Sequence, residues 1–152
     1  MVSINGRPVC VDASVVVPIV VFEEQSPVAQ RFWGELIDQK VEIIAPPLIN
    51  YEIIAAIYRK AYRRLITWDE AFDSIKLALD LGITLVNFKG LHTRAFEIAK
   101  EFGRPTTYDA HYLAVAEHFK APFWTADEKL FNSVKDKFSW IRLLKDYEEK
   151  LG

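Results

Sequence analysis

Four acidic residues stand where carboxylates are expensive to keep. Asp12 interrupts the apolar run Val9-Cys-Val-Asp-Ala-Ser-Val-Val-Val17, and Glu52 lies in Leu48-Ile-Asn-Tyr-Glu-Ile-Ile-Ala-Ala-Ile57. Asp109 follows Thr107-Tyr108 and precedes Ala-His-Tyr-Leu-Ala-Val-Ala116, and Asp127 follows Phe123-Trp-Thr-Ala126. An ionised carboxylate among apolar neighbours is costly to desolvate unless it is paired or bound to a metal. Each has an ordinary reading when taken alone: Asp12, Asp109 and Asp127 can cap or charge-complement a helix start, and Glu52 can be an exposed position on a buried helix. Brought together, four such groups repel one another unless a cation neutralises them. An all-oxygen donor set favours Mg2+ or Mn2+. His92, His111 and His118 are scattered, and no His/Cys set has the spacing of a zinc site.

These residues would converge only if particular elements carry them to one place. Short β-rich runs alternate with helical patterns, the signature of a parallel sheet covered by helices. The expected strands are Pro8 to Asp12, Val41 to Ala45, Ile83 to Val86, Ala121 to Thr125 and Trp140 to Leu144. Helices are expected from an N-cap at Ser14 (with Pro18 limiting regularity), from an N-cap at Ser26 with Pro27 first in the helix to Lys40, and from Pro46-Pro47 to Arg64. Thr67 with Glu70 three residues on reads as a capping box for a helix that stops at Gly82. Further helices span His92 to Phe102, Thr106 or Thr107 to Phe119, and Asp127 to Lys137, and the charged tail from Lys145 reads as a frayed helix. The expectation is an α/β fold, a three-layer α/β/α sandwich on a central, mostly parallel sheet of about five short strands. In such sheets ligands bind beyond the carboxyl ends of the strands. Asp12, Asp109 and Asp127 fall at strand ends or helix starts on that edge, and Glu52 opens the helix after the second strand.

Composition bounds the class. At 152 residues, 51% hydrophobic and 26% charged, the chain reads as one domain, residues 1–152, with a core that needs no staples. With 19 basic and 21 acidic residues, any nucleic acid must be held by a local basic patch or through a metal rather than by the overall field. Cys10 has no partner for an internal disulfide, which suits a reducing cytosol, and reads as a small buried apolar residue. The run Val9 to Phe22 is broken by Asp12 and Pro18, is too short to span a bilayer, and lacks the features of a signal peptide, so a cytoplasmic protein is expected.

The four acidic stretches together resemble the PIN domain. The matching features are Val11-Asp-Ala-Ser14, Pro47-Leu-Ile-Asn-Tyr-Glu52, Thr107-Tyr-Asp-Ala-His-Tyr-Leu-Ala-Val-Ala-Glu117 and Thr125-Ala-Asp-Glu-Lys-Leu130, in that order over nearly the whole chain. The compact form is similar to the VapC toxins of prokaryotic toxin–antitoxin pairs. The resemblance implies a Mg2+- or Mn2+-dependent endoribonuclease, the toxin of a VapBC-type system, whose metal and catalytic residues are Asp12, Glu52, Asp109 and Asp127. It also implies a homodimer, inhibited by a cognate antitoxin protein whose tail covers the acidic site.

Within that reading Asp127 acts through water, and Ser14 and Thr125 orient the carboxylates as hydroxyl donors, unless they are plain helix-cap or strand-end hydroxyls. Arg59, Lys60, Arg63 and Arg64 cluster on the helix that carries Glu52 and could hold phosphates, with a solvated helix face as the plainer reading. Arg104, just before the Asp109 helix, is a further candidate for RNA contact. Trp33, Trp68, Trp124 and Trp140 could stack on bases, although Trp124 and Trp140 on expected strands read as core. Two other phosphotransfer classes fit poorly. Asp12 lacks the second Asp two residues on that a haloacid-dehalogenase-like phosphatase needs, and a receiver domain wants an early acidic pair. The non-enzymatic alternative is a PIN-like module that binds RNA or protein without turnover.

Overall fold

The computed structural model describes residues 6–148. The central strand β1 (Val9–Val11) is wholly buried and lies between β2 (Ile43–Ala45) and β4 (Phe123–Thr125). β3 (Thr84–Leu85) adds outside β2 and β5 (Ile141–Leu143) outside β4, giving the order β3-β2-β1-β4-β5. All four pairings are parallel, with Cys10 opposite both Ile44 and Phe123. A strand buried on both faces reads as a continuous apolar run, which is why Val9-Cys-Val shows no alternation.

Seven helices cover the sheet among the described residues: α1 (Ala13–Val20), α2 (Ser26–Asp38), α3 (Leu48–Tyr62), α4 (Trp68–Leu79), α5 (Leu91–Glu101), α6 (Tyr108–Phe119) and α7 (Glu128–Val134). Successive β4 residues point to opposite faces and so identify the layers. Phe123 stacks on Tyr112 of α6 (ring centroids 5.8 Å apart), whereas Trp124 packs on Phe32 of α2 (4.7 Å). α1 packs against α2, α3 and α4 in one layer, and α5 packs against α6 in the other. The result is the α/β/α sandwich the alternation implied.

Several local expectations need correction. Asp12, not Ser14, caps α1: its Oδ1 accepts from Ser14 N at 3.0 Å. Ser26 is the first residue of α2 rather than its cap, and Gln25 precedes it without a side-chain bond. The Ser26 hydroxyl instead accepts from Glu23 N and donates to Val21 O, stitching the α1–α2 loop. The Thr67–Glu70 capping box is present, and Thr107 occupies the α6 cap position without a side-chain bond. α7 ends at Val134, three residues early. The chain after β5 makes a 3-10 turn over Leu144–Asp146 rather than starting a longer helix, and positions 149–152 of the expected tail lie outside the described residues. Trp33 is buried, so it has no free face for a base. Trp124 is core as expected, Trp140 packs on Phe138, and Trp68 is exposed beside Tyr58.

Candidate functional site

The chain winds from β1 outward through β2 to β3, then returns to the other side of β1 for β4 and β5. The reversal leaves a crevice at the carboxyl ends of β1 and β4, the usual ligand position of a doubly wound sheet. Asp12 is the residue after β1, and Asp127 comes two residues after β4. α3 leaves the carboxyl end of β2, so Glu52 in its second turn stays on that edge. α6 leads down into β4, so its first turn, with Asp109, also starts there. Local chain direction therefore delivers all four carboxylates to one open cleft of about 680 Å3.

They enter it at different depths. Asp12 is 7% exposed, Glu52 and Asp109 are half-buried, and Asp127 is exposed. Asp12 is held at both oxygens. Oδ1 accepts from Ser14 N and Ser14 Oγ (2.5 Å), and Oδ2 accepts from Thr125 Oγ1 (2.5 Å). The two hydroxyls are themselves fixed by backbone donors, Ala126 N to Ser14 Oγ (2.8 Å) and Asp127 N to Thr125 Oγ1 (3.1 Å). Burial pushes the Asp12 carboxyl up to about 7, against the opposing pull of these hydroxyl bonds and with added repulsion from Asp109 and Glu52. Glu52 is also raised, first by burial and further by Asp109, while a hydrogen bond from Tyr112 works the other way. Asp109 Oδ2 accepts from Arg104 at 3.0 Å, and Asp127 Oδ1 caps α7 through Leu130 N at 3.1 Å.

The donor set is all oxygen and anionic, which fits a hard divalent cation and not a soft one. The carboxylates line the cleft without closing on a point. Among the described residues no three acidic, histidine or cysteine side chains are gathered closely enough to hold one ion as they stand. Each of the four has a donor of its own from the protein, and their mutual repulsion favours keeping them apart.

The rest of the cleft is asymmetric. α3 presents Ala56, Arg59, Lys60 and Arg63 along its wall, beyond Glu52, and the α1–α2 loop supplies Glu23, Glu24 and Gln25 at the lip. Lys60 is tied to Glu23 at 2.7 Å, which leaves the exposed Arg59 and Arg63 as the less engaged cations. Arg64 does not line the cleft; it ends α3 in a left-handed conformation. Arg104 also stands outside the lining, bonded to Asp109 and to Ser133 Oγ (3.1 Å).

Tyr112 is the site residue that sequence reading did not single out. Its hydroxyl donates to Glu52 Oε1, and the ring is buried. The available signal was its spacing: three residues after Asp109, it lies on the same face of α6.

Comparisons with known proteins bear on the family and the fold. The sequence profile of the PIN domain matches residues 9–137. The chain is 30% identical to Ribonuclease VapC3 of Pyrobaculum aerophilum over 122 residues, covering 79% of this chain and 89% of that protein. The fold is similar to the crystal structure of PAE2754 from Pyrobaculum aerophilum, with a TM-score of 0.63 and 22% identity over 86% of this chain and 87% of the other.

Proposed function

The chain belongs to the PIN domain family, and on that premise we propose that it is a divalent-metal-dependent endoribonuclease, the toxin of a VapBC-type toxin–antitoxin pair. The observation that carries the proposal is the convergence of Asp12, Glu52, Asp109 and Asp127 on one cleft at the sheet's switch point. Resemblance to a protein named as a ribonuclease supports RNA as the substrate.

In this reading Asp12, Glu52 and Asp109 hold Mg2+ or Mn2+, and the exposed Asp127 acts through water. A cation bound there supplies Lewis acidity toward the phosphodiester and lowers the pKa of water. Ser14 and Thr125 keep both Asp12 oxygens aimed and the carboxylate ionisable. Arg59 and Arg63 hold phosphates of the strand as it leaves the acidic end. Arg104 acts by holding Asp109 rather than by binding RNA from the cleft wall.

The same helix offers a surface that supports an antitoxin partner. α3 has three faces: Ile49, Ile53, Ile57 and Ala61 pack in the core, Glu52 and Arg59 face the cleft, and Tyr51, Ile54, Tyr58 and Tyr62 are exposed. The exposed face continues through Trp68 and Phe72 of α4, an apolar patch that fits a protein partner. An antitoxin segment docked there has its tail beside the cleft lip. A homodimer and a cytoplasmic setting complete the proposal. The homodimer rests on family resemblance, and no helix among the described residues is long and apolar enough to cross a membrane.

The test is incubation of the purified chain, freed of bound partner, with mixed single-stranded RNA and Mn2+, with and without EDTA, beside Asp109→Asn. Cleavage lost with EDTA and with the substitution is expected. Cleavage that survives either, or RNA bound without cleavage under Mg2+ and Mn2+ alike, overturns the proposal.

A further inference from the structure

Asp12, Glu52, Asp109 and Asp127 each have a protein donor, but the donors differ in kind. Asp12 takes one hydroxyl from Ser14 beside it and one from Thr125 at the end of the adjacent strand β4, Asp109 takes a guanidinium five residues away, and Asp127 takes a backbone amide three residues on. Glu52 alone among them takes its donor from a helix of the opposite layer, sixty positions along the chain, and has no other side-chain donor among the described residues. We infer that Tyr112 is a positioning residue for Glu52. It occupies Oε1 so that Oε2 faces the cleft, and it locks the start of α3 to the start of α6. The inference rests on the metal-binding reading of the cleft given above.

Three observations carry it. The tyrosine is not free to turn away: it is 1% exposed, its ring stacks on Phe123 with an interplanar angle of 11°, and its carbonyl faces the Cys10 thiol of β1. Its place on α6 is one turn beyond Asp109, so a single rigid element sets both the Asp109 carboxylate and the Glu52 orientation. The glutamate, in contrast, needs holding. It is half-buried, sits in the field of Asp109, and has three rotatable bonds whose ordering costs up to about 2 kcal/mol. Repulsion from Asp109 turns an untethered Glu52 toward solvent. The hydroxyl removes that freedom before any ligand arrives, and it does so without introducing a positive charge that would compete with a cation.

The inference is tested by titrating Mn2+ alone into the wild-type chain and into Tyr112→Phe, Glu52→Gln and the double variant, by calorimetry or the loss of the free Mn2+ paramagnetic signal. Phenylalanine keeps the ring and its packing, and thermal melting in EDTA checks that each variant folds. Removing a group that orients a metal ligand typically weakens affinity 10- to 100-fold, so Tyr112→Phe is expected to bind Mn2+ about tenfold more weakly. In the Glu52→Gln background the same change is expected to cost less than about twofold, because Tyr112 then has no ligand to orient. Unchanged affinity in Tyr112→Phe, or an equal loss in both backgrounds, overturns the inference and leaves the metal site standing. Wild-type chain that takes up no Mn2+, or Glu52→Gln that binds like wild type, overturns the reading of the site itself and the inference with it.

Discussion

Asp12→Asn should make the metal-free protein more stable at neutral and alkaline pH while abolishing RNA cleavage. The buried carboxyl is pushed from 3.8 to about 7. That gap corresponds to about 4 kcal/mol of disfavoured ionisation, at ~1.36 kcal/mol for each tenfold change in acid strength. The folded protein holds this proton more tightly than the unfolded chain. As pH rises above about 4 the unfolded chain ionises first, so stability falls until the folded carboxyl also ionises near pH 7, and then levels off. Asparagine has no charge to bury, and it is as good a helix N-cap as aspartate, so the bond from Ser14 N survives. The Ser14 and Thr125 hydroxyls can rotate to meet the new amide. Allowing for imperfect hydrogen bonding, the variant should gain about 2–4 kcal/mol at pH 8, or roughly 5–10 °C in melting temperature for a chain of this size. The assay is urea or thermal unfolding of both proteins in EDTA from pH 4 to pH 8. Taking the difference between the two curves removes the contribution of Glu117, whose carboxyl Arg94 holds low, and leaves of Glu52, raised in the same sense, only its coupling to Asp12. The gap should close toward pH 4. A variant no more stable than wild type at pH 8, or a gap that widens as pH falls, refutes the claim that desolvation dominates at Asp12.

Two further outcomes follow from the cleft. Thr125→Val removes a donor that favours the charged form of Asp12, so the pH midpoint of Mn2+-dependent cleavage should move upward by about half a unit or more, since one charge-assisted hydrogen bond is worth about 1.5–3 kcal/mol before relaxation; an unmoved or lowered midpoint in pH–rate profiles contradicts this. Arg59→Ala with Arg63→Ala should weaken single-stranded RNA binding across unrelated sequences and reduce the salt slope of log affinity by about 1.4, at ~0.7 for each phosphate contact; filter binding over a salt series in Ca2+ or EDTA reads both effects, and an unchanged slope removes these arginines from the RNA path.

The parts of the fold legible in the sequence are those fixed by local physics. The apolar run before Asp12 is a strand because nothing in it suits water, and the Thr67–Glu70 pair forms its capping box because both partners lie within one turn. The cleft was legible for a related reason. Strand–helix alternation fixes chain direction, and direction alone puts residue 12, the α3 and α6 starts and residue 127 on one edge. Where two local options compete, sequence does not decide. Ser26 has cap chemistry and a following proline, yet its hydroxyl serves the preceding loop instead. Trp33 and Trp68 are both tryptophans on helices, and only the packing of α2 on Trp124 and of α4 at the edge makes one buried and the other exposed. The Tyr112–Glu52 contact joins elements far apart in the chain, and no periodicity in a single sequence encodes a pairing of that kind.

The choice of donors around the acids bears on what the cleft is for. A carboxylate can be stabilised in a protein by a cation or by neutral hydrogen-bond donors, and the two differ in what they leave behind. A lysine or arginine cancels the charge and competes with any metal. Hydroxyls lower the cost of ionisation and leave the charge in place. Asp12 and Glu52, the two carboxyls raised by burial, are both served by hydroxyls from Ser14, Thr125 and Tyr112. The guanidinium of Arg104 goes to Asp109, which is half-buried rather than buried like Asp12. A cluster selected only for stability would have taken the opposite course, either matching its deepest charge with a cation or replacing it with an apolar residue, since buried charges seldom add net stability. The site therefore keeps at its floor a carboxyl with no cation beside it, whose ionisation is disfavoured by about 4 kcal/mol. A divalent cation bound as proposed would offset that cost, which makes the disfavoured ionisation of Asp12 the thermodynamic counterpart of the proposed metal affinity.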